Sequence, residues 1–294
     1  MDALLHGRPA DAEAATRAVM AAHPNGASTG EPYLTAAELH ASSLDCLGQH
    51  ARAAEEFAAL IDATAPAYGD TDSRVIRYRL SCAAELGYLG QYEDAEDLFR
   101  AAVSQSAKLP PYQGQVVLRL AAISGLVGIS NMRGAYADAE SLARSAIGEI
   151  PRLAKWRSRF TVVFQIGIGS SLNGQQRYSE ALLAVQGLRP VYVQDIVALL
   201  DALSTAHIGT GQFADAELVA RNAVMTGEKG LSAAHYLTLQ SGTLLGIALA
   251  RQGKLDDAKS QLQANASAWL EHFGGQHPKA AAAQRVLAHV LSVA

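Results

Sequence analysis

Groups able to do chemistry are scattered along this 294-residue chain, and their spacing argues against most reactions. The nine histidines are His6, His23, His40, His50, His207, His235, His272, His277 and His289. None sits in an H-E-x-x-H pair, the spacing that puts two imidazoles and a base on one helical face. His272 and His277 flank a glycine-containing linker, too little to assign a metal site. Asp201 and His207 are close enough in sequence to form one titrating pair, the weak nucleus of an acid–base site. There is no G-x-S-x-G, and GIGSSLNG (167–174) lacks the strand and the lysine that a phosphate loop requires. Cys46 and Cys82 are too few for a disulfide framework and lack metal-ligand spacing, so they read as packing residues. No catalytic residue, no cofactor and no metal is expected, and the chain is expected not to be an enzyme.

The elements that would position such groups are announced by a pattern recurring seven times: a turn residue, a ring or bulky residue two places on, and alanine three places further. The copies are Gly7-Pro9-Ala12, Gly48-His50-Ala53, Gly90-Tyr92-Ala95, Gly134-Tyr136-Ala139, Gln176-Tyr178-Ala181, Gly211-Phe213-Ala216 and Gly253-Leu255-Ala258. Successive anchors are 41, 42, 44, 42, 35 and 42 residues apart. Such a period marks a repeat solenoid, in which each unit buries its apolar face against its neighbours. Hydrophobic residues are 49% of the chain with only 9 prolines, which suits close-packed helices built largely from alanine. We expect an all-α single domain over 1–294, about seven units long. It opens on the second helix of the first unit, so further sequence is expected upstream.

The segment 73–106 is the cleanest unit. Val75, Ile76, Leu80, Ala83, Leu86 and Leu89 recur at helical spacing before Gly90, and Tyr92, Ala95, Leu98, Phe99, Ala102 and Val103 after it. Gly90 stands where the first helix must stop in a left-handed turn. The alanine five residues after the anchor is placed where the two helices cross most closely.

Gly-x-aromatic-x-x-Ala, an apolar residue nine after the anchor (Phe57, Phe99, Val185, Leu262) and a small residue seven before it (Ala41, Ala83, Gly169, Ser204, Gly246) resemble the tetratricopeptide repeat. The period near 42 resembles its longer variant, seen in kinesin light chains and many bacterial proteins. Gly69 and Gly274, each 21 residues beyond an anchor, match that variant's linker. The resemblance implies a right-handed superhelical α-solenoid of antiparallel helix pairs. Gln176 departs from the pattern, and a displaced turn is expected there, with a change of curvature over the following 35-residue interval. Gly125, Gly128, Gly167, Gly169, Gly242 and Gly246 fall inside helices and read as close packing or as backbone approaching a ligand.

The resemblance also implies that the first helix of each pair lines a concave groove. Its stripe includes Glu38, Asp45, Arg77, Asn131, Asn173, Asp201, Thr205 and Gln240, the candidate peptide-binding residues. Glu38 and Asp45 make the first quarter acidic, which favours a basic partner on electrostatic complementarity. Asn131 and Asn173 occupy equivalent places on successive units. They resemble the asparagine ladders with which family members hold a peptide backbone; the plainer reading is that they cap helix ends. His207 stands four before its anchor, where other copies have leucine, and reads as an interior histidine.

A net charge of −4 gives no basic footprint for nucleic acid. No run of 18 apolar residues and no basic-then-apolar N-terminus appear, so neither a membrane span nor a signal peptide is expected, and the cytoplasm is the expected compartment. Leu287, Val290, Leu291 and Val293 on the last helix point to a homodimer or to packing on the preceding pair. Trp156 and Trp269 read as interior or hinge residues. The expected function is a non-enzymatic scaffold or adaptor that binds a protein or peptide segment. A second reading is a peptide-pheromone or small-ligand sensing module of a bacterial regulator, which a helix-turn-helix or effector domain would mark. The third, an enzyme on the same solenoid, rests on Asp201 and His207 alone.

Overall fold

The computed structural model describes residues 8–22, 30–110, 114–150 and 157–293. Among them are fourteen α-helices and no strand. The helices gather into two compact units, Met1–Arg133 and Gly134–Ala294. Unit 1 holds α1 (Pro9–Ala21), α2 (Glu31–Cys46), α3 (His50–Tyr68), α4 (Ser73–Tyr88), α5 (Tyr92–Ser106) and α6 (Gln115–Met132). Unit 2 holds α7 (Tyr136–Glu149), α8 (Arg157–Gly174), α9 (Tyr178–Val185), α10 (Val193–Gly209), α11 (Phe213–Gly230), α12 (Tyr236–Arg251), α13 (Leu255–Phe273) and α14 (Pro278–Val293). Within each unit consecutive helices pack on one another, and alternate helices also touch: α4 with α6, and α8 with α10, α10 with α12, α12 with α14.

The repeat pattern explains this packing residue by residue. Asp72 begins α4 by accepting a hydrogen bond from the Arg74 amide at 2.8 Å, satisfying a donor the helix itself leaves open. His235 and His277 do the same for α12 and α14 through Nδ1, which accepts from the Leu237 and Lys279 amides. Each first helix ends in a left-handed turn. Gly48, Gly90, Gly134, Gly211 and Gly253 have φ between 73 and 83°. After Gly48, Gly90, Gly211 and Gly253 the next amide bonds the carbonyl four before the anchor, as Gln91 does to Leu86 at 2.9 Å. Gln176 takes the same conformation at φ 61°, and the Arg177 amide reaches Leu172 at 2.8 Å. The turn is therefore not displaced: the chain accepts a side chain in the left-handed region to keep it.

The alanine five after each anchor is enclosed in all seven copies, with Ala12 at 5% exposure and the other six at 0%. The small residue seven before the anchor lies under the apolar one nine after it. A Cβ on Gly169 would stand 2.4 Å from Val185, and one on Gly246 2.4 Å from Leu262. The residue two after the anchor packs on the next unit's first helix. The Tyr136 ring fills the space beside Gly174, the Tyr178 ring that beside Gly209, and the His50 ring lies 4.9 Å from Tyr88. Gly125, tight against Phe99, also belongs to close packing, whereas Gly128 faces open space.

A further contact recurs between successive pairs. Glu96, Glu140 and Glu217, six after their anchors, each bond the arginine one turn on (Arg100, Arg144, Arg221) and a cation at the next turn (Arg133, Arg177, Lys254). The short interval falls on α9, which has 8 residues where α5 has 15, a loss of about two helical turns. Beside it Leu183 and Val191 are 73% and 83% exposed. By length and composition α6 could cross a bilayer, with a mean hydropathy of 1.4. Its Leu118, Ala122 and Ile129 are buried against α4 and α5 within unit 1.

Candidate functional site

The candidate residues gather in two buried polar clusters, one in each unit. In unit 2 the centre is Asp201 on α10, only 5% exposed. Ser241 on α12 donates its hydroxyl to Oδ1 at 2.6 Å, and Gln240 donates Nε2 to Oδ2 at 3.4 Å. Burial pushes the Asp201 carboxyl up to about 7, against the lowering effect of Ser241, Gln240 and the Lys279 charge. Lys279, two residues into α14, is half-buried; burial lowers its ammonium and Asp201 opposes that shift. Thr205 contributes differently, donating to the Asp201 carbonyl at 2.8 Å. Asp201 therefore lies in the seam between α10 and α12 and not on an open groove. Ser241 is fully enclosed, so its contact with a carboxylate leaves a substrate no access.

The Asp201–His207 pair does not form. His207, half-buried near the end of α10, bonds Gln212 Oε1 through Nδ1 at 2.8 Å and steadies the turn. Its expected interior place is corrected for the same reason. His277 stacks on Trp269 at 5.5 Å and 11° while capping α14. Trp269 itself is buried, its Nε1 directed at Thr243 Oγ1 at 3.3 Å, whereas Trp156 lies outside the described residues.

In unit 1 three residues close on one another at the α2–α3 turn. His50 Nδ1 is 2.8 Å from Glu85 Oε2 and 3.7 Å from Asp45 Oδ1. Asp45 and Glu85 also share a hydrogen bond. Burial first, and the Asp45 charge second, hold the Glu85 carboxyl well above the usual carboxylate range. Burial, then Asp45 and Glu85, push the Cys46 thiol up to about 12; burial and Glu85 push Cys82 to about 11. Both cysteines therefore stay protonated at neutral pH, far from thiolate chemistry.

The remaining candidates are separate. Glu38 and Arg77 pair at 3.1 Å between α2 and α4 on the surface. Glu38 is thus paired with Arg77, while Asp45 lies against His50. Asn131 is half-buried on α6. Asn173, 7% exposed on α8, donates Nδ2 to the Ala202 carbonyl at 2.7 Å, while its Oδ1 is enclosed without a partner. It ties α8 to α10 and does not face an open clamp. On α14, Val290 is buried and Leu287 packs with it against Leu245, Leu249 and Leu262, while Leu291 is 43% exposed; nothing is described of the Val293 side chain.

Reading the sequence missed Glu85, Ser241 and Lys279. A signal for Glu85 was present: five before the anchor the other copies carry Ser43, Ile129, Ser171, Ala206 and Ala248, all buried, and Glu85 alone is charged. No protein-family model matches the chain, and no curated protein matches it significantly.

Proposed function

We propose that each unit is a stretch of right-handed, tetratricopeptide-like α-solenoid whose first-helix face binds an extended protein or peptide segment without catalysis. One observation carries this reading: α8, α10 and α12 lie side by side, and Thr205 on α10 and Gln240 and Ile247 on α12 remain half-exposed. Such a row offers hydroxyl, amide and apolar contacts to a backbone laid across it, without long charged side chains in the way. The enclosed Asp201 and Asn173 would set the spacing of those helices, and the half-exposed residues would make the contacts.

A photo-crosslinking residue placed at Gln240 or Ile247, and as control at the exposed Arg221 on α11, tests this in the native host lysate. The same polypeptide should be captured from both first-helix positions, and capture from Ile247 should be lost in a Thr205→Trp, Gln240→Trp double variant of unchanged helical content. Capture from Arg221 alone, or capture that survives the double variant, would place the binding surface elsewhere.

A further inference from the structure

From the convergence of Asp45, His50 and Glu85 we infer that unit 1 contains a binding site for a divalent transition-metal ion of the zinc type. The three donors come from three helices: Asp45 near the end of α2, His50 at the start of α3, and Glu85 on α4. They face one another across a gap narrow enough for one ion. Nδ1 lies 2.8 Å from Glu85 Oε2 and 3.7 Å from Asp45 Oδ1, and the two carboxylates are in hydrogen-bond contact. Two ligands bound at about 2.1 Å stand about 3.0 Å apart at right angles and about 3.4 Å apart at the tetrahedral angle, so sub-ångström movements admit the metal. Imidazole nitrogen with carboxylate oxygen is a donor set that zinc-type ions accept and that suits calcium poorly.

The site is also shielded from bulk water, with His50 2% and Glu85 3% exposed. The His50 ring is already held by Tyr88 at 4.9 Å, so little ordering remains to be done on binding.

Full-length protein stripped with EDTA and dialysed should bind one Zn2+ saturably, measured by competition with a chromophoric chelator. It should melt at a higher temperature with the metal. Co2+ in place of Zn2+ should give visible d–d absorption. Glu85→Gln and Asp45→Asn should each weaken binding at least about tenfold, while His272→Ala, at an exposed histidine, should not. The wild-type titration decides the matter even where a variant does not fold. Absence of saturable binding overturns the site, as does binding that a folded Glu85→Gln variant retains in full.

Discussion

In unit 1 two carboxylates, Asp45 and Glu85, close on a single imidazole, whereas in unit 2 one carboxylate, Asp201, sits among hydroxyl and amide donors with Lys279 beyond. Both clusters are buried and both raise a carboxyl. In the first, two carboxylates close on one imidazole, and burial with the neighbouring Asp45 charge raises the Glu85 carboxyl. The second is close to balanced, and its carboxylate is neutralised at a pH near physiological. Similar burial thus produces an anion-rich pocket in one unit and a satisfied strut in the other.

The largest expected effect breaks the unit 1 cluster. In metal-free protein, His50→Ala leaves the buried Glu85 and half-buried Asp45 carboxyl groups facing each other and should cost about 3–5 kcal/mol at pH 7. The loss should shrink at pH 5, because a carboxyl whose folded pKa is raised is destabilising only once it ionises. Urea unfolding at both values measures this; equal losses would mean that His50 acts only through its packing on Tyr88.

Asp201→Asn should move stability the other way. The folded carboxyl titrates near 7 and its ordinary value is 3.8, so the folded state holds the proton more tightly. Stability from Asp201 is full below about 4 and declines as pH rises to about 7. Removing the charge should therefore raise the stability of the variant relative to wild type by up to about 3 kcal/mol between pH 5 and pH 8. A flat difference across that range would mean that Lys279 fully compensates the carboxylate.

The smallest effect concerns a turn that unit 1 makes with glycine. Gln176→Gly relieves about 1–2 kcal/mol of left-handed strain and returns roughly 0.5–1 kcal/mol to the unfolded chain. A net gain near 0.5–1 kcal/mol should appear in unfolding midpoints, with no such gain from Gln175→Gly one residue earlier in the helix-end turn.

Much of the fold was legible because one pattern fixed three buried contacts per copy: the alanine at the crossing, the small residue under the apolar one, and the ring on the next helix. Glycine was not required to make the fifth turn, because backbone bonding and packing on both sides impose the conformation on Gln176. The site was far less legible. Asp201 and Asn173 are polar, and polar residues on a helix usually face water; here they face the seam between first helices, where Ser241 and the Ala202 carbonyl meet them. Lys279 comes from a helix that the stripe did not include, and His50 stood disguised as the ring residue of its copy.

The gap between the Glu140 and Glu217 rungs of unit 2 has a kinetic consequence. Six residues after Gln176 the chain carries Leu182, so the junction between α9 and the following turn lacks the ion pairs that Glu140 and Glu217 supply on either side. The same α9 is the shortest helix among those described. Amide protons in α9 should therefore exchange with solvent by local opening, sooner than those of α11, and unit 2 should divide there into two separately fraying segments.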